Sequence, residues 1–134
     1  MMDLSVSIAG ITFQNPVTVA SGTFWYTDAY YTQEEMRAFG AFVPKTVTLK
    51  AREGNPPPRI CETPAGMVNA IGIENTGADD FIQKKLPALQ GLGVPIIASV
   101  MGNSVEEFTA LAEKFSGLKN VVALELNLSC PNLQ

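Results

Sequence analysis

The chain has 134 residues, of which 46% are hydrophobic and 16% are charged, and its formal net charge is −4. This length and composition are typical of one folded domain with its own core and exclude a disordered chain. Because no basic cluster occurs, a nucleic-acid-binding surface is not expected.

The types of residue present limit the possible chemistry. The chain contains no histidine and two cysteines, Cys61 and Cys130, which make neither a disulfide framework nor a zinc site of the usual kind. The N-terminus lacks a basic region followed by an apolar stretch, and the most apolar segment, residues 94–102, is too short to span a bilayer. We therefore expect a cytoplasmic protein without a metal site or membrane contact.

The first third of the chain predicts a hairpin, a strand and a helix. Residues 4–13 alternate and turn at Ala9-Gly10, which predicts a small hairpin, and residues 16–21 form a short β-branched run. Thr32 and Glu35 have the spacing of a capping box, and we expect the helix that they begin to stop at Gly40.

Apolar runs predict three further strands, at residues 41–49, 94–102 and 121–129, although Pro44 cannot donate to a ladder. Helical spacing of apolar residues predicts helices between them. The apolar positions are Phe81, Ile82, Leu86 and Leu89 in residues 78–91, and Val105, Phe108, Leu111, Ala112 and Phe115 in residues 104–117. Ser104 and Glu107 give the second helix a capping box.

The alternation of strands and helices is typical of an α/β protein with a parallel sheet. An open, doubly wound sheet loses support because no G-x-G-x-x-G follows the first strand. We predict a (β/α)8 TIM barrel, of which residues 1–134 form about the first four βα units plus the N-terminal hairpin. Since such a barrel needs about 250 residues, we expect half of a barrel or a chain cut short.

Polar residues follow the predicted strands where a barrel carries its site. They are Ser21, Lys45, Thr46, Ser99, Asn127 and Cys130. The segment of residues 50–77, which we call the excursion, is too long for an ordinary loop, and such loops are usually functional. The alternative is that strand ends turn polar because they meet water.

Lys45 lies in a run expected to be buried, where its charge is costly unless it meets an anion; the alternative is a lysine at the barrel rim. Asn69, Asn75, Asn127 and Asn132 offer amides that pair with a pyrimidine-like ring, or else serve ordinary turns. A free cysteine is commonly a buried apolar residue, but Cys130 follows a strand end and can act as a base for a carbon acid. We predict that Cys61 is structural.

Five motifs together resemble dihydroorotate dehydrogenase: "ASG" (20–22), "KTVTL" (45–49), "REGNPPPR" (52–59), "MVNAIGIENTG" (67–77) and "ELNLSCPN" (125–132). The resemblance covers the N-terminal half of that family's barrel. It implies oxidation of (S)-dihydroorotate to orotate in pyrimidine (UMP) biosynthesis, with a proton leaving C5 for a base and a hydride leaving C6 for FMN. The motif "NAIGIENTG" is similar to the NAD-linked subtype, which implies a partner subunit with FAD and a 2Fe–2S cluster in a heterotetramer of two catalytic and two electron-transfer subunits.

The resemblance also implies residue roles. Cys130 is the implied catalytic base, and Lys45 contacts both FMN and substrate. Further implied FMN contacts are Ser21, Thr46, Ser99 and Asn127, and position 99 often holds Asn in the NAD-linked subtype. Implied substrate contacts are Asn69, Ala70, Ile71, Gly72, Ile73, Asn127 and Asn132.

Two alternatives stand beside this interpretation. One is a related dihydropyrimidine dehydrogenase, with a similar FMN barrel that reduces uracil or thymine. The other is an inactive, truncated half-barrel. The family's second half supplies another lysine and the loops that hold the FMN phosphate, so the resemblance implies that residues 1–134 alone bind FMN weakly.

Overall fold

The computed structural model describes residues 2–24 and 32–132. The strands are β1 (Val6–Ile8), β2 (Ile11–Phe13), β3 (Val47–Thr48), β4 (Ile60–Thr63), β5 (Gly66–Asn69), β6 (Ile96–Met101) and β7 (Val121–Leu126). The helices are α1 (Gln33–Arg37), α2 (Ala78–Asp80), a π-helical turn (Phe81–Lys85), α3 (Leu86–Gln90) and α4 (Val105–Phe115). The α/β prediction is therefore confirmed for these residues.

A parallel sheet in the order β3-β6-β7 forms the centre of the molecule. Two isolated parallel bridges, Thr18 with Ala41 and Phe42 with Ile96, extend the pairing towards the N-terminus. Neighbours in space thus follow the order of the chain, and the carboxyl ends of the strands meet at one edge. We call this edge the carboxyl edge.

The first two predicted parallel strands are shorter than the sequence indicated. Residues 16–21 form no strand and pair only at Thr18, while residues 41–49 reduce to two bridges and β3. Pro16 and Pro44 have no N–H to donate to a ladder, which interrupts the pairing. Similarly, β6 begins after Pro95, and β7 ends at Leu126 instead of residue 129.

The N-terminal hairpin and the first capping box are confirmed. Ala9 and Gly10 have φ values of 50° and 81° between β1 and β2, which suits a tight hairpin turn. Thr32 accepts a bond from the Glu35 N–H, and the Glu35 carboxylate accepts one from the Thr32 N–H at 2.7 Å. The Thr32 N–H and the Thr32 hydroxyl, which donates at 2.9 Å, both bond to the Glu35 carboxylate and hold its pKa below the usual value.

Gly40 was predicted to end the first helix, but α1 already ends at Arg37. The reason for glycine at position 40 is instead a close approach to the hairpin, because a Cβ there would lie 1.9 Å from the Asn15 carbonyl oxygen. The Gly40 N–H also donates to the Val17 carbonyl at 2.8 Å. The glycine therefore allows the hairpin connection to pack on the end of α1.

The second predicted helix contains a π-helical turn that the periodicity did not reveal. The Leu86 N–H bonds to the Phe81 carbonyl five residues earlier. Pro87 follows directly, and the wider turn accommodates a ring that would crowd the carbonyl four residues before it in a regular helix. Phe81, Leu86 and Leu89 are buried as predicted.

The α4 helix deviates from its prediction at its first turn. Ser104 accepts a bond from the Glu107 N–H, but the Glu107 carboxylate bonds to the Asn103 N–H at 2.8 Å, so the capping box is only half formed. Val105 is 77% exposed and does not share the buried face with Phe115.

The excursion folds into a hairpin of β4 and β5, which the sequence did not predict. All residues of both strands are exposed, so the pairing has no buried face to give a hydrophobic pattern. Its base is closed by a bridge between Arg52 and Asn75.

The core lies between the sheet and the helices. Val47, Ile96 and Val100 are buried with Phe81 and Phe115, whose rings are 5.9 Å apart. This packing fixes the strands that carry the polar residues of the carboxyl edge. In the two described ranges, no helix has the length and apolar character needed to cross a membrane.

Candidate functional site

A cavity of about 620 Å³ opens at the carboxyl edge of the sheet, a size suited to a small-molecule ligand. Nine of the residues predicted for a site line it: Ser21, Lys45, Thr46, Asn69, Ile71, Ile73, Asn127, Cys130 and Asn132. They come from segments far apart in sequence, and the parallel strands and the excursion bring them together. Ala70 and Gly72, although predicted, are not part of the lining.

Three hydroxyl groups form a triangle at the floor of the cavity. Ser21 Oγ lies 2.7 Å from Thr46 Oγ1 and 3.1 Å from Ser99 Oγ, and Thr46 and Ser99 are 2.8 Å apart. Thr46 and Ser99 are each 1% exposed. Ser99 thus bonds to the hydroxyls of two lining residues, Ser21 and Thr46, and does not itself line the cavity.

We expect Thr46→Val to lower the free energy of unfolding by about 1–2 kcal/mol, because it removes a buried hydroxyl and leaves Ser21 and Ser99 with one partner fewer. Chemical denaturation of the chain checks this value. Thr109→Val is the matched control, since that residue is exposed on α4 and, within the described ranges, its hydroxyl bonds only to the Val105 carbonyl. Equal losses in both variants would contradict a special role for the triangle.

Lys45 directs a half-buried ammonium group at the cavity. Its Nζ makes no hydrogen bond or salt bridge with the part of the chain that the structure describes. A Cβ added to Gly22 would lie 4.0 Å from this Nζ. Burial lowers the pKa of Lys45, while the nearby charges of Cys130 and Glu74 oppose that shift. Such a group favours an anionic ligand, because an anion would offset the cost of burying its charge.

The other two charges of the lining neutralise each other. Arg59 Nη2 donates to the Glu74 carboxylate at 2.6 Å, and Arg59 Nη1 donates to the Glu53 carbonyl at 3.2 Å. With this pair formed, Lys45 is the one cationic side chain of the described lining that has no salt-bridge partner. Among the described residues, no group of three or more His, Cys, Asp or Glu side chains is arranged to hold a metal ion.

Cys130 lies in the loop after β7, and its neighbours join it to the excursion. It is half-buried, whereas Cys61 is exposed on β4, so the structure does not support a packing role for Cys61. Asn132 Nδ2 donates to Asn69 Oδ1 at 3.0 Å, and the Asn127 N–H donates to the Val100 carbonyl at 2.9 Å. A thiol and three amide side chains therefore border one cavity.

Asn75, the fourth amide considered from the sequence, serves the fold. It is 3% exposed, and its Oδ1 accepts bonds from the N–H groups of Thr48 and Gly77. Its Nδ2 donates to Thr48 Oγ1 and to the Ile73 carbonyl. With all of its polar atoms occupied, the turn interpretation applies and Asn75 is not available to a ligand.

The backbone is left-handed where the excursion enters the cavity wall. Gly72 has a φ of 75°, and Ile73 has a φ of 53°, which is uncommon for a β-branched residue. Such strained positions persist only where the surrounding structure holds them in place, and they cluster at ligand sites. Ile73 is buried, and its apolar side chain contributes to the cavity wall.

Comparison with known proteins decides the family. The family model for dihydroorotate dehydrogenase matches residues 3–134. The chain belongs to this family. The resemblance that the five motifs carried is therefore confirmed at the level of the family.

Curated relatives in the family are dihydroorotate dehydrogenase B (NAD(+)) catalytic subunits. Those of Geobacter sulfurreducens and Geotalea uraniireducens are each 48% identical over 132 residues, covering 98% of this chain and 43% of the relative. That of Desulforudis audaxviator is 47% identical over 130 residues, covering 97% of the chain and 42% of the relative. The chain thus spans less than half the length of these relatives.

A solved structure of DHODH from Eimeria tenella, in complex with ferulenol, has the same fold over the matched region. The TM-score is 0.74 at 23% sequence identity, and the match covers 98% of this chain and 38% of that one. The mixed α/β fold of the described residues is therefore the fold of this part of a dihydroorotate dehydrogenase.

Sequence reasoning missed two charged residues of this family member's cavity. Arg59 ends the quoted motif "REGNPPPR" and Glu74 lies inside "MVNAIGIENTG", yet neither was assigned a role. Their pairing depends on the β4–β5 hairpin, which returns the chain so that residues 15 positions apart meet. An arginine next to a proline-rich turn was the available signal.

Proposed function

We propose that this chain is the N-terminal part of an enzyme that oxidises (S)-dihydroorotate to orotate in pyrimidine (UMP) biosynthesis, with FMN as its cofactor. The observation that carries the proposal is the joint lining of one cavity by Cys130, Lys45 and three asparagine amides. This set offers a base, a cation for an anionic ligand and amides for the alternating N–H and C=O groups of a pyrimidine ring.

The reaction requires one base in this chain. Cys130, as the thiolate, takes the proton from C5 of dihydroorotate, and the electron pair of that C–H bond forms the C5=C6 double bond. Bound FMN would supply the acceptor for the hydride that leaves C6. Lys45 balances the negative charge of the substrate carboxylate or of the reduced cofactor, and Asn69, Asn127 and Asn132 orient the ring.

The cavity residues fit an FMN ring. Ser21, Thr46 and Asn127 offer hydroxyl and amide groups, and Lys45 offers a cation beside them. Gly22 has a φ of 82°, and a Cβ at this position would meet no atom closer than the Lys45 Nζ at 4.0 Å, so the backbone leaves room for a planar group. Ser99, through the triangle, orients the two hydroxyls that face this group.

The family and the sheet support a proposal for the rest of the enzyme. We propose that the paired segments at Thr18, at residues 41–48, at β6 and at β7 are the first four strands of a (β/α)8 barrel, because their order in the sheet follows their order in the chain. The relatives are named NAD(+)-linked catalytic subunits, which supports a cytoplasmic enzyme with a partner subunit carrying FAD and a 2Fe–2S cluster. The assembly would contain two copies of each subunit.

A fusion protein tests the proposed function. It joins this chain to the part of the Geobacter sulfurreducens subunit that the chain does not cover, and it is loaded with FMN under anaerobic conditions. Dihydroorotate should bleach the visible absorbance of the flavin at neutral pH, while dihydrouracil should not.

Three other results have distinct meanings. Bleaching by dihydrouracil alone would support the dihydropyrimidine dehydrogenase alternative instead. A folded fusion that binds FMN but is reduced by neither substrate would contradict the proposal. Activity of the isolated 134-residue chain would contradict the expectation that the chain alone binds FMN weakly.

A further inference from the structure

Asn55, in the excursion, lies outside the cavity lining and has no part in the reaction as proposed. We infer that Asn55 is a positioning residue that holds the loop of Cys130 against the excursion. The functional consequence of this inference rests on the proposed role of Cys130 as the base, but the contact itself does not.

The side chain of Asn55 joins two segments that are far apart in sequence. Its Nδ2 donates to the Ala70 carbonyl at 2.9 Å and to the Asn132 carbonyl at 3.1 Å. The Asn55 backbone N–H donates to the Ile71 carbonyl at 2.9 Å. A primary amide has two N–H bonds, so each Nδ2 hydrogen serves one carbonyl, and only a side chain with two donors on one short stem can bridge them.

Glycines on both sides allow this close contact. A Cβ at Gly72 would lie 2.7 Å from Asn55 Cγ and Oδ1, and Gly72 has a φ of 75°. A Cβ at Gly54 would lie 2.4 Å from the Ile71 carbonyl oxygen, and Gly54 has a φ of 76°. Glycine at both positions therefore allows Asn55 to lie close to residues 70–72 of the excursion.

Cys130 is affected by this contact because it is close in sequence to Asn132. Asn132 is two residues after Cys130, and Pro131 between them restricts the backbone. Asn132 is held twice, by Asn55 at its carbonyl and by Asn69 at its side-chain amide. Because Asn55 does not line the cavity, its replacement changes the freedom of the Cys130 loop without removing a group that faces a ligand.

The test uses the 134-residue chain and two readouts of the loop. The first is hydrogen exchange at residues 128–132, and the second is the rate of alkylation of Cys130 by iodoacetamide relative to the exposed Cys61, measured by mass spectrometry on the same molecule. Asn55→Asp keeps the shape of the side chain but removes both donors. Asn55→Ser gives a shorter side chain that cannot bond to both carbonyls, and it adds no charge.

Loss of the hydrogen bond to the loop should raise exchange at residues 128–132 about five-fold in both variants. The ratio of Cys130 to Cys61 alkylation should rise by a similar factor in Asn55→Ser. Asn15→Asp is the matched control, since Asn15 donates to the Ala38 carbonyl at 2.8 Å on another part of the molecule. It should leave both readouts at wild-type values.

Wild-type exchange and alkylation at the loop in natively folded Asn55 variants would overturn the inference. If both variants unfold, nuclear magnetic resonance of the wild-type chain decides: the Asn55 side-chain amide protons should show contacts to Asn132, and their absence would also overturn it. Neither readout needs FMN or turnover. A folded fusion protein that binds FMN but does not oxidise dihydroorotate would therefore reject the proposed function and leave the contact standing.

Discussion

Replacing Cys130 by alanine will slow the reduction of bound flavin by dihydroorotate at least about 100-fold at neutral pH in the fusion protein. Positioned general bases typically contribute this much or more. The described part of the chain lines the cavity with one thiol, and this chain contributes no histidine that could take over the proton. Anaerobic stopped-flow absorbance measures the rate directly.

Two further variants sharpen this result. Cys130→Ser should retain partial activity that rises with pH. A hydroxyl loses its proton less readily than a thiol, so less of the basic form is present at neutral pH. Cys61→Ala should behave as wild type, since Cys61 is exposed on β4 and is not part of the lining. A Cys130→Ala protein that reduces flavin at the wild-type rate would remove Cys130 from the reaction.

Lys45→Met should lower kcat/KM for dihydroorotate by about 100- to 1000-fold, the effect typical of losing one charged group that faces developing charge. Methionine keeps most of the apolar stem and removes the ammonium. Lys50→Met is the control, because Lys50 is exposed two residues after β3 and outside the cavity. Steady-state kinetics with both variants separates a local charge effect from a change in net charge.

The same substitution should stabilise the unliganded chain. Burial holds the pKa of Lys45 below its ordinary value, so the charged form is disfavoured in the folded state. The unfolded chain then binds more protons between the folded pKa and the unfolded pKa of about 10.4, and the stability of the wild type rises with pH across that window. Lys45→Met should therefore raise the melting temperature at pH 7 by a few degrees, and the gain should disappear as the pH rises through that window.

A loss of stability in Lys45→Met at pH 7, together with unchanged kinetics, would contradict this account of Lys45. It would show that the ammonium group is a favourable part of the fold. The alternative raised from the sequence, a lysine at the rim of the barrel, predicts unchanged kinetics with little change in stability.

The features that could be predicted from the sequence are those with a local cause. The hairpin turn at Ala9-Gly10 and the capping box of Thr32 depend on a few adjacent residues, and both are present. The buried positions Phe81 and Leu86 followed from helical spacing, and the family followed from five motifs.

The features that could not be predicted depend on distant partners. The β4–β5 hairpin has no buried face, so its strands leave no alternating pattern. Asn75 and Asn69 look alike in sequence, but Asn75 meets β3 and becomes buried while Asn69 stays exposed at the cavity. The contact of Asn55 with Asn132 spans 77 positions, and no local signal encodes it.

The most direct test of the central claim is a crystal structure of the fusion protein with FMN and orotate. The account predicts the pyrimidine ring between the flavin and the loop of Cys130, with the sulfur of Cys130 within about 3.5 Å of C5 and the Lys45 ammonium beside the flavin and the orotate carboxylate. An orotate molecule bound in this cavity with Cys130 far from C5, or bound elsewhere on the protein, would contradict it.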